Sequence, residues 1–450
     1  MKRKAFNRHP SSAASRHLLP ASGEKDTRVR AFLAFILPLL AAPLLAQTDI
    51  RTQIDASKAL QIIRIAVPRP ETTLPLEAIN APFFAPLTRD LAYSGVFAIA
   101  PIPPNIPATA DLAKSVNAQL VLRLTMSTET RDGAPYYVVD ARAIDTTGAE
   151  QFAKRYGGVQ SALTRIAHMM ANDLQRQFAG KPGIFESQIA YASHRSGAWE
   201  IWLMDWDGAN QRQITRHNAL SILPSWSSDN ERLAYTSFAR GTSDMYIIHR
   251  RGGTRIHVPT GLNLNTSATF SPVTNDIAFV GSVAGNPDIY VIKDDGTNKR
   301  RLTSSSSIES TPEWSPNGRQ ISFTSGRSGS PQIYVMDAEG SNVERLSFDD
   351  GGWNDDATWS PSGDEIAYTS RVNGRFQIRI ANVATKQSRI IAGEGSNEQP
   401  TWSPDGKWIA FQSNRTGVWQ IYRMRVDGTD LMQLTFDSEN KDPDWSKKAP

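Results

Sequence analysis

The chain is 450 residues long, enough for two or three domains with sizeable cores. It contains no cysteine, which excludes disulfides, thiolate metal sites and cysteine nucleophiles. Residues 1–46 hold eight of the 49 Lys and Arg and two of the 45 Asp and Glu, so 41 basic side chains face 43 acidic ones beyond them and no nucleic-acid footprint remains.

The opening segment is basic (Lys2, Arg3, Lys4, Arg8, Arg16, Lys25, Arg28, Arg30) and is followed by an apolar run from Ala31 to Leu45 that ends on a small residue. That order predicts a signal peptide over 1–46, cleaved between Ala46 and Gln47, and a periplasmic product. A membrane anchor fits less well. The apolar run is broken by Pro38 and Pro43 and is shorter than the ~20 residues a span needs, so no stable membrane span is expected after processing. Residues 47–57, including Thr48, Asp49, Ile50 and Arg51, are polar and aperiodic and read as a flexible N-terminal tail.

Residues 58–181 read as a small α/β domain. Ile62 to Val67 is a predicted strand, Phe83 to Leu91 a predicted helix ending near Gly95, and Leu120–Leu124 and Tyr136–Asp140 paired strands around the turn Arg131-Asp132-Gly133. Leu163, Ile166, Ala167, Met170, Ala171, Leu174 and Phe178 recur at helical spacing, and Gly180, Lys181 and Pro182 end that helix.

From residue 182 the pattern changes. An aromatic-Ser phrase, usually followed by Pro-X-Gly, begins at Trp226, Phe270, Trp314, Trp359, Trp402 and Trp445, at intervals of 43 to 45 residues. Behind it come a short apolar strand such as Ile321-Ser322-Phe323-Thr324-Ser325, a loop and a third strand such as Ile333-Tyr334-Val335-Met336. A turn such as Glu339-Gly340 then leads to a fourth strand. A period of this size with four strands predicts an all-β six-bladed propeller over 182–446, with four antiparallel strands per blade and residues 447–450 as a C-terminal tail. The first blade lacks an aromatic-Ser strand and the last such strand, at Trp445, has nothing after it, so the C-terminal strand is expected to close the ring. Every blade carries the Trp or Phe, which points to packing between blades rather than to an aromatic cage.

No nucleophile elbow, H-E-x-x-H pattern or phosphate-binding glycine loop is present, and the seven histidines are scattered. Asp349, Asp350, Asp355 and Asp356 lack calcium-loop spacing. In a four-stranded blade the loops from strand four to the next strand one and from strand two to three share one face. That face is predicted to combine Glu309, Asp355, Asp356, Glu398 and Asp442 near the channel mouth with His194, Arg195, Arg327 and Arg415 farther out, a pattern suited to recognising a charged partner. No cofactor is expected, and a cation in the channel is left open.

The export signal, the small domain and the propeller with W-S-P-D-G turns together resemble the TolB family, the periplasmic component of the Tol–Pal envelope system of Gram-negative bacteria. Asp90-Leu91-Ala92-Tyr93-Ser94-Gly95-Val96-Phe97 is similar to that family's helix end, and Ala118-Gln119-Leu120-Val121 to its next strand. The resemblance implies a non-enzymatic adaptor in envelope integrity and cell division. Its propeller face, with Glu309 and Glu398, would bind the peptidoglycan-associated lipoprotein Pal, and its tail the inner-membrane protein TolA. Two other classes stay open: a channel-site enzyme or ligand binder, lactonase-like or cyclase-like and metal-dependent, and an interaction module with an unrelated envelope partner.

Overall fold

The computed structural model describes residues 62–448 apart from 104, 105, 284, 349–351 and 392. The expected signal peptide, its cleavage at Ala46 and Gln47, the tail with Thr48, Asp49, Ile50 and Arg51, and the acidic pair Asp349 and Asp350 lie outside the described residues.

The first part runs β1 (Ile63–Ala66), α1 (Leu76–Ile79), a π-helical turn at Asn80–Phe84, α2 (Ala85–Tyr93), β2 (Phe97–Ile99), α3 (Ala110–Ser115), β3 (Leu120–Arg131), β4 (Ala134–Asp145), β5 (Glu150–Gly158) and α4 (Leu163–Ala179). The sheet order is β2-β1-β3-β4-β5, parallel among the first three strands and antiparallel among the last three. β3 and β4 are each 12 residues, longer than their apolar runs suggest. Burial along β3 stops at Met126, and the hairpin continues outward as a polar ladder held by backbone pairing. The expected helix at Phe83–Leu91 is present as α2 but is entered through the π turn containing Pro82. β2, α3 and β5 carry little signal because two are very short and β5 exposes Lys154 and Arg155.

α4 buries the predicted apolar face and, beside it, the polar side chains of His168, Asn172 and Gln175. These turn toward the linker and the first blade: Asn172 donates to Glu186 at 3.1 Å and Gln175 to the Pro182 carbonyl at 3.4 Å. The small domain and the propeller share one core, in which Leu87, Leu91, Ile166 and Met170 pack in the same cluster as Phe185, Trp206, Trp408 and Trp445. Tyr93 meets Trp408 edge-on at 5.3 Å, and the buried Arg423 guanidinium lies 4.1 Å from the Trp206 ring and 4.4 Å from that of Trp408. Burial pulls that guanidinium down to about 10, and the aromatic faces offer it a partial substitute for water.

The second part is a ring of six four-stranded antiparallel sheets. The repeated serine explains the recurring turn. Its buried hydroxyl accepts the backbone N–H five residues on, from Arg232 to Ser227 at 2.9 Å, Gln320 to Ser315 at 2.9 Å, Glu365 to Ser360 at 3.1 Å and Trp408 to Ser403 at 3.0 Å. Gly318 sits at φ +69°, which the turn requires and a side chain resists. The repeated Trp is structural. Trp359 donates its indole N–H to the Glu313 carbonyl of the preceding blade at 3.2 Å, and Trp402 to that of Thr358 at 3.1 Å. The ring closes as expected: Asn440–Trp445 pairs with Gln188–Ser193, with Trp445 opposite Ile189 and its indole N–H donating to Ser187 Oγ at 2.8 Å.

Candidate functional site: the channel and its mouth

The innermost strand of each blade lines the central channel, and each begins on the face where the strand 4–1 and 2–3 loops emerge. The residue at the head of each (Ser221, Asn265, Glu309, Asn354, Asn397, Asn440; Asn265 is second in Leu264–Phe270) is fully buried. Two residues on, φ is positive in all six blades: Leu223, Ser267, Thr311, Asp356, Gln399 and Asp442, between +45° and +54°. At that point the pairing with the second strand slips in every blade. A bulge of this kind re-aims the backbone and side chain into the lumen, and it strains a β-branched residue such as Thr311 most. Residue types at these positions differ, so sequence reasoning had no signal for the ring.

Asp355, Asp356, Glu398 and Asp442 lie close enough at the channel mouth for the other three charges to act on Asp356. Asp355 accepts from Thr311 Oγ1 at 3.1 Å and from the Asp356 N–H at 2.9 Å. Asp442 accepts the Leu223 N–H across the lumen wall at 3.1 Å, and Glu398 accepts from Gln412 at 3.4 Å. Burial, and then the charges of Asp355, Glu398 and Asp442, hold the Asp356 carboxyl well above the usual carboxylate range. Burial raises Glu398 and Asp442 as well. Toward the opposite end of the lumen, the Lys447 ammonium lies 2.8 Å from Asp444 and 3.4 Å from Glu313. Among the described residues no three His, Asp or Glu side chains are arranged to hold a metal ion.

Glu309 is placed differently from expectation. Glu309 is 0 % exposed and accepts from Ser325 Oγ at 2.8 Å and from the Arg327 guanidinium at 2.9 Å. It is therefore not a surface acid separated from an outer arginine; the two are one ion pair. Arg415 repeats the arrangement with Asn397 at 2.8 Å, and Arg195 with Asn440 at 3.4 Å. Each guanidinium also lies over a third-strand aromatic ring: Arg195 on Trp202 at 4.5 Å, Arg327 on Tyr334 at 5.0 Å and Arg415 on Tyr422 at 4.7 Å. The first residue of the innermost strand thus orients the rim arginine by charge and hydrogen bonding.

Exposed apolar side chains on the same face add what the charge pattern alone did not suggest. Phe238, Val283, Ile308, Phe348, Trp353 and Phe436 all lie in loops around the mouth, Phe436 at 71 % exposure. A rim of apolar groups around an acidic centre is a surface built for contact.

Residues 175–404 match the family model described as the TolB beta propeller domain. The solved structure of TolB from Acinetobacter baumannii is similar with a TM-score of 0.71 and 25% identity, covering 86% of this chain and 97% of that one. The Tol-Pal system protein TolB of Syntrophotalea carbinolica is 32% identical over 210 residues, 44% of this chain and 49% of that protein. That of Geobacter sulfurreducens is 39% identical over 88 residues, 20% of each chain. The matched region thus spans between about a fifth and about half the length of these curated relatives. Among the described residues no helix is long and apolar enough to cross a membrane.

Proposed function

The chain belongs to the TolB beta propeller family, and on that premise we propose that it is a non-enzymatic periplasmic adaptor of the Tol–Pal envelope system. Its channel-mouth face binds the peptidoglycan-associated lipoprotein Pal, and its N-terminal tail, residues 47–57, engages a TolA-like inner-membrane protein. The observation that carries this reading is the composition of that face. Apolar anchors such as Phe436, Phe348 and Ile308 ring a mouth at which Asp356 and Asp442 line the lumen with Asp355 and Glu398 close by. Exposed aromatics supply contact energy, and the acidic centre selects a partner that presents basic or hydrogen-donating groups. The rim arginines, Arg327 on Glu309 and Arg415 and Arg195 on asparagines, hold the loops in place, so the face is formed before a partner arrives.

The test is a calorimetric titration of residues 47–450 with the periplasmic domain of the same organism's Pal. Micromolar or tighter binding is expected, weakened by Phe436→Ala with Phe348→Ala and separately by Asp355→Asn with Glu398→Gln. Folded protein that shows no heat of binding overturns the Pal assignment.

A further inference from the structure

Away from the channel, a cleft of 590 Å³ opens where α4 meets the outer turns of the first two blades. Arg165 of α4, Arg212 of the first blade, and Arg250 and Arg251 of the second blade line it, together with Glu186 and Asp205. The four arginines outnumber the two carboxylates. Among the described residues no hydrogen bond or ion pair reaches the Arg212 guanidinium; its charge is disfavoured first by burial and then by neighbouring Arg250, with Asp205 as the opposing charge. Arg250 spends one nitrogen on Glu231 at 3.2 Å, while its buried Nε has no hydrogen-bond partner. His168, 1 % exposed, also lines the cleft, with its Nε2 turned toward Asp207 and Asp205 at 3.7 and 3.9 Å. Asp205 is already engaged by Asn210 at 2.6 Å and Gln188 at 3.1 Å.

Four arginines facing two carboxylates, one of them already engaged, with the Arg250 Nε buried and without an acceptor, leave room for an anion. We propose that this cleft is a phosphoryl-binding site, in which Arg212, Arg250 and Arg251 share the oxygens of one phosphate group. A carboxylate is satisfied by a single guanidinium fork, whereas several converging forks match the three or more oxygens of a phosphoryl group. The acidic wall of Glu186 and Asp205 repels a second anion, which argues against a polyanion. The volume falls in the range of about 300–1,000 Å³ typical of small-molecule sites, so the phosphoryl group is borne by a larger molecule. That molecule is a soluble phosphomonoester or a phospholipid headgroup. This site stands apart from the channel mouth and does not depend on Pal binding.

The experiment titrates residues 47–450 with inorganic phosphate by calorimetry and, in parallel, co-sediments the protein with phosphatidylglycerol or phosphatidylcholine vesicles. Phosphate binding is expected, weakened about tenfold or more by Arg212→Ala. Arg251→Ala, at an exposed position that does not threaten folding, is expected to weaken it in the same direction. Binding to phosphatidylglycerol vesicles that phosphate reverses assigns the headgroup, and phosphate binding alone assigns a soluble ligand. The proposal is overturned if folded protein binds neither probe, or if both variants bind as the parent does.

Discussion

His168 and Asp90 meet at 2.5 Å in the seam between the small domain and the propeller, and neither is more than 1 % exposed. Around them, Arg89 pairs with Asp207, and His168 Nε2 lies 3.7 Å from Asp207 and 3.9 Å from Asp205. Burial pulls the imidazole down, but the three carboxylates outweigh it and its affinity for a proton rises. Asp90 is raised too, because its burial outweighs the attraction of His168.

Both groups therefore take up protons on folding, which fixes the sign of the pH dependence. The contribution of His168 is fully present below the ordinary histidine value of about 6.5, and that of Asp90 below the ordinary carboxylate value of about 3.9; each is lost as pH rises through its own raised value. The midpoint of thermal unfolding is expected to fall between about pH 6 and about pH 9, and His168→Gln to flatten that slope. Removing one member of a buried pair costs about 3–5 kcal/mol, so the variant should also be less stable at pH 6. A His168→Gln protein with the parent's pH profile contradicts this assignment.

Asp356 carries the same sign of pH dependence, but its substitution is expected to stabilise. Its ionised form is penalised by burial and by three neighbouring carboxylates, so its contribution declines as pH rises through the raised pKa. Asp356→Asn keeps a residue that tolerates the observed φ of +53°. It should stabilise the protein by on the order of 1 kcal/mol at pH 7. The gain should vanish near pH 4, as read from urea midpoints at the two pH values.

Ser315 tests the turn. Its hydroxyl is the acceptor for the Gln320 N–H and lies 2.9 Å from Asn317. Ser315→Ala leaves that N–H buried without a partner and is expected to cost about 1–3 kcal/mol in chemical denaturation.

Trp445 and Phe436 separate closure from contact. Trp445 is 0 % exposed and Phe436 71 %. Trp445→Ala should lower stability by about 3–5 kcal/mol, while Phe436→Ala should stay within about 0.5 kcal/mol of the parent. Differential scanning calorimetry distinguishes the two directly.

The propeller was legible in the chain because its code is local. The Ser hydroxyl, the Pro-X-Gly turn and the indole act within one hairpin or on the adjacent blade, and they recur. The mouth was legible only in part. Asp355, Asp356, Glu398 and Asp442 follow from strand position, but the burial of Glu309 depends on Arg327 folding back across a hairpin. The six bulges share a backbone shape and no residue type. The arginine cleft joins positions 165, 212 and 250 from two domains, which no periodicity links.

The pairing of Asn440–Trp445 with Gln188–Ser193 has a consequence for the order of folding events. Gln188 and Ser446 are 258 residues apart in sequence yet hydrogen-bonded. Blades two to six are each formed by consecutive strands, so they can assemble as soon as their own residues are available. The first blade to be synthesised is the last that can be completed, and its exposed strand edge persists until the far end of the chain arrives. Ring closure thus acts as a check on chain integrity: a chain that stops short of residue 440 keeps an open edge, the feature that invites aggregation and proteolysis.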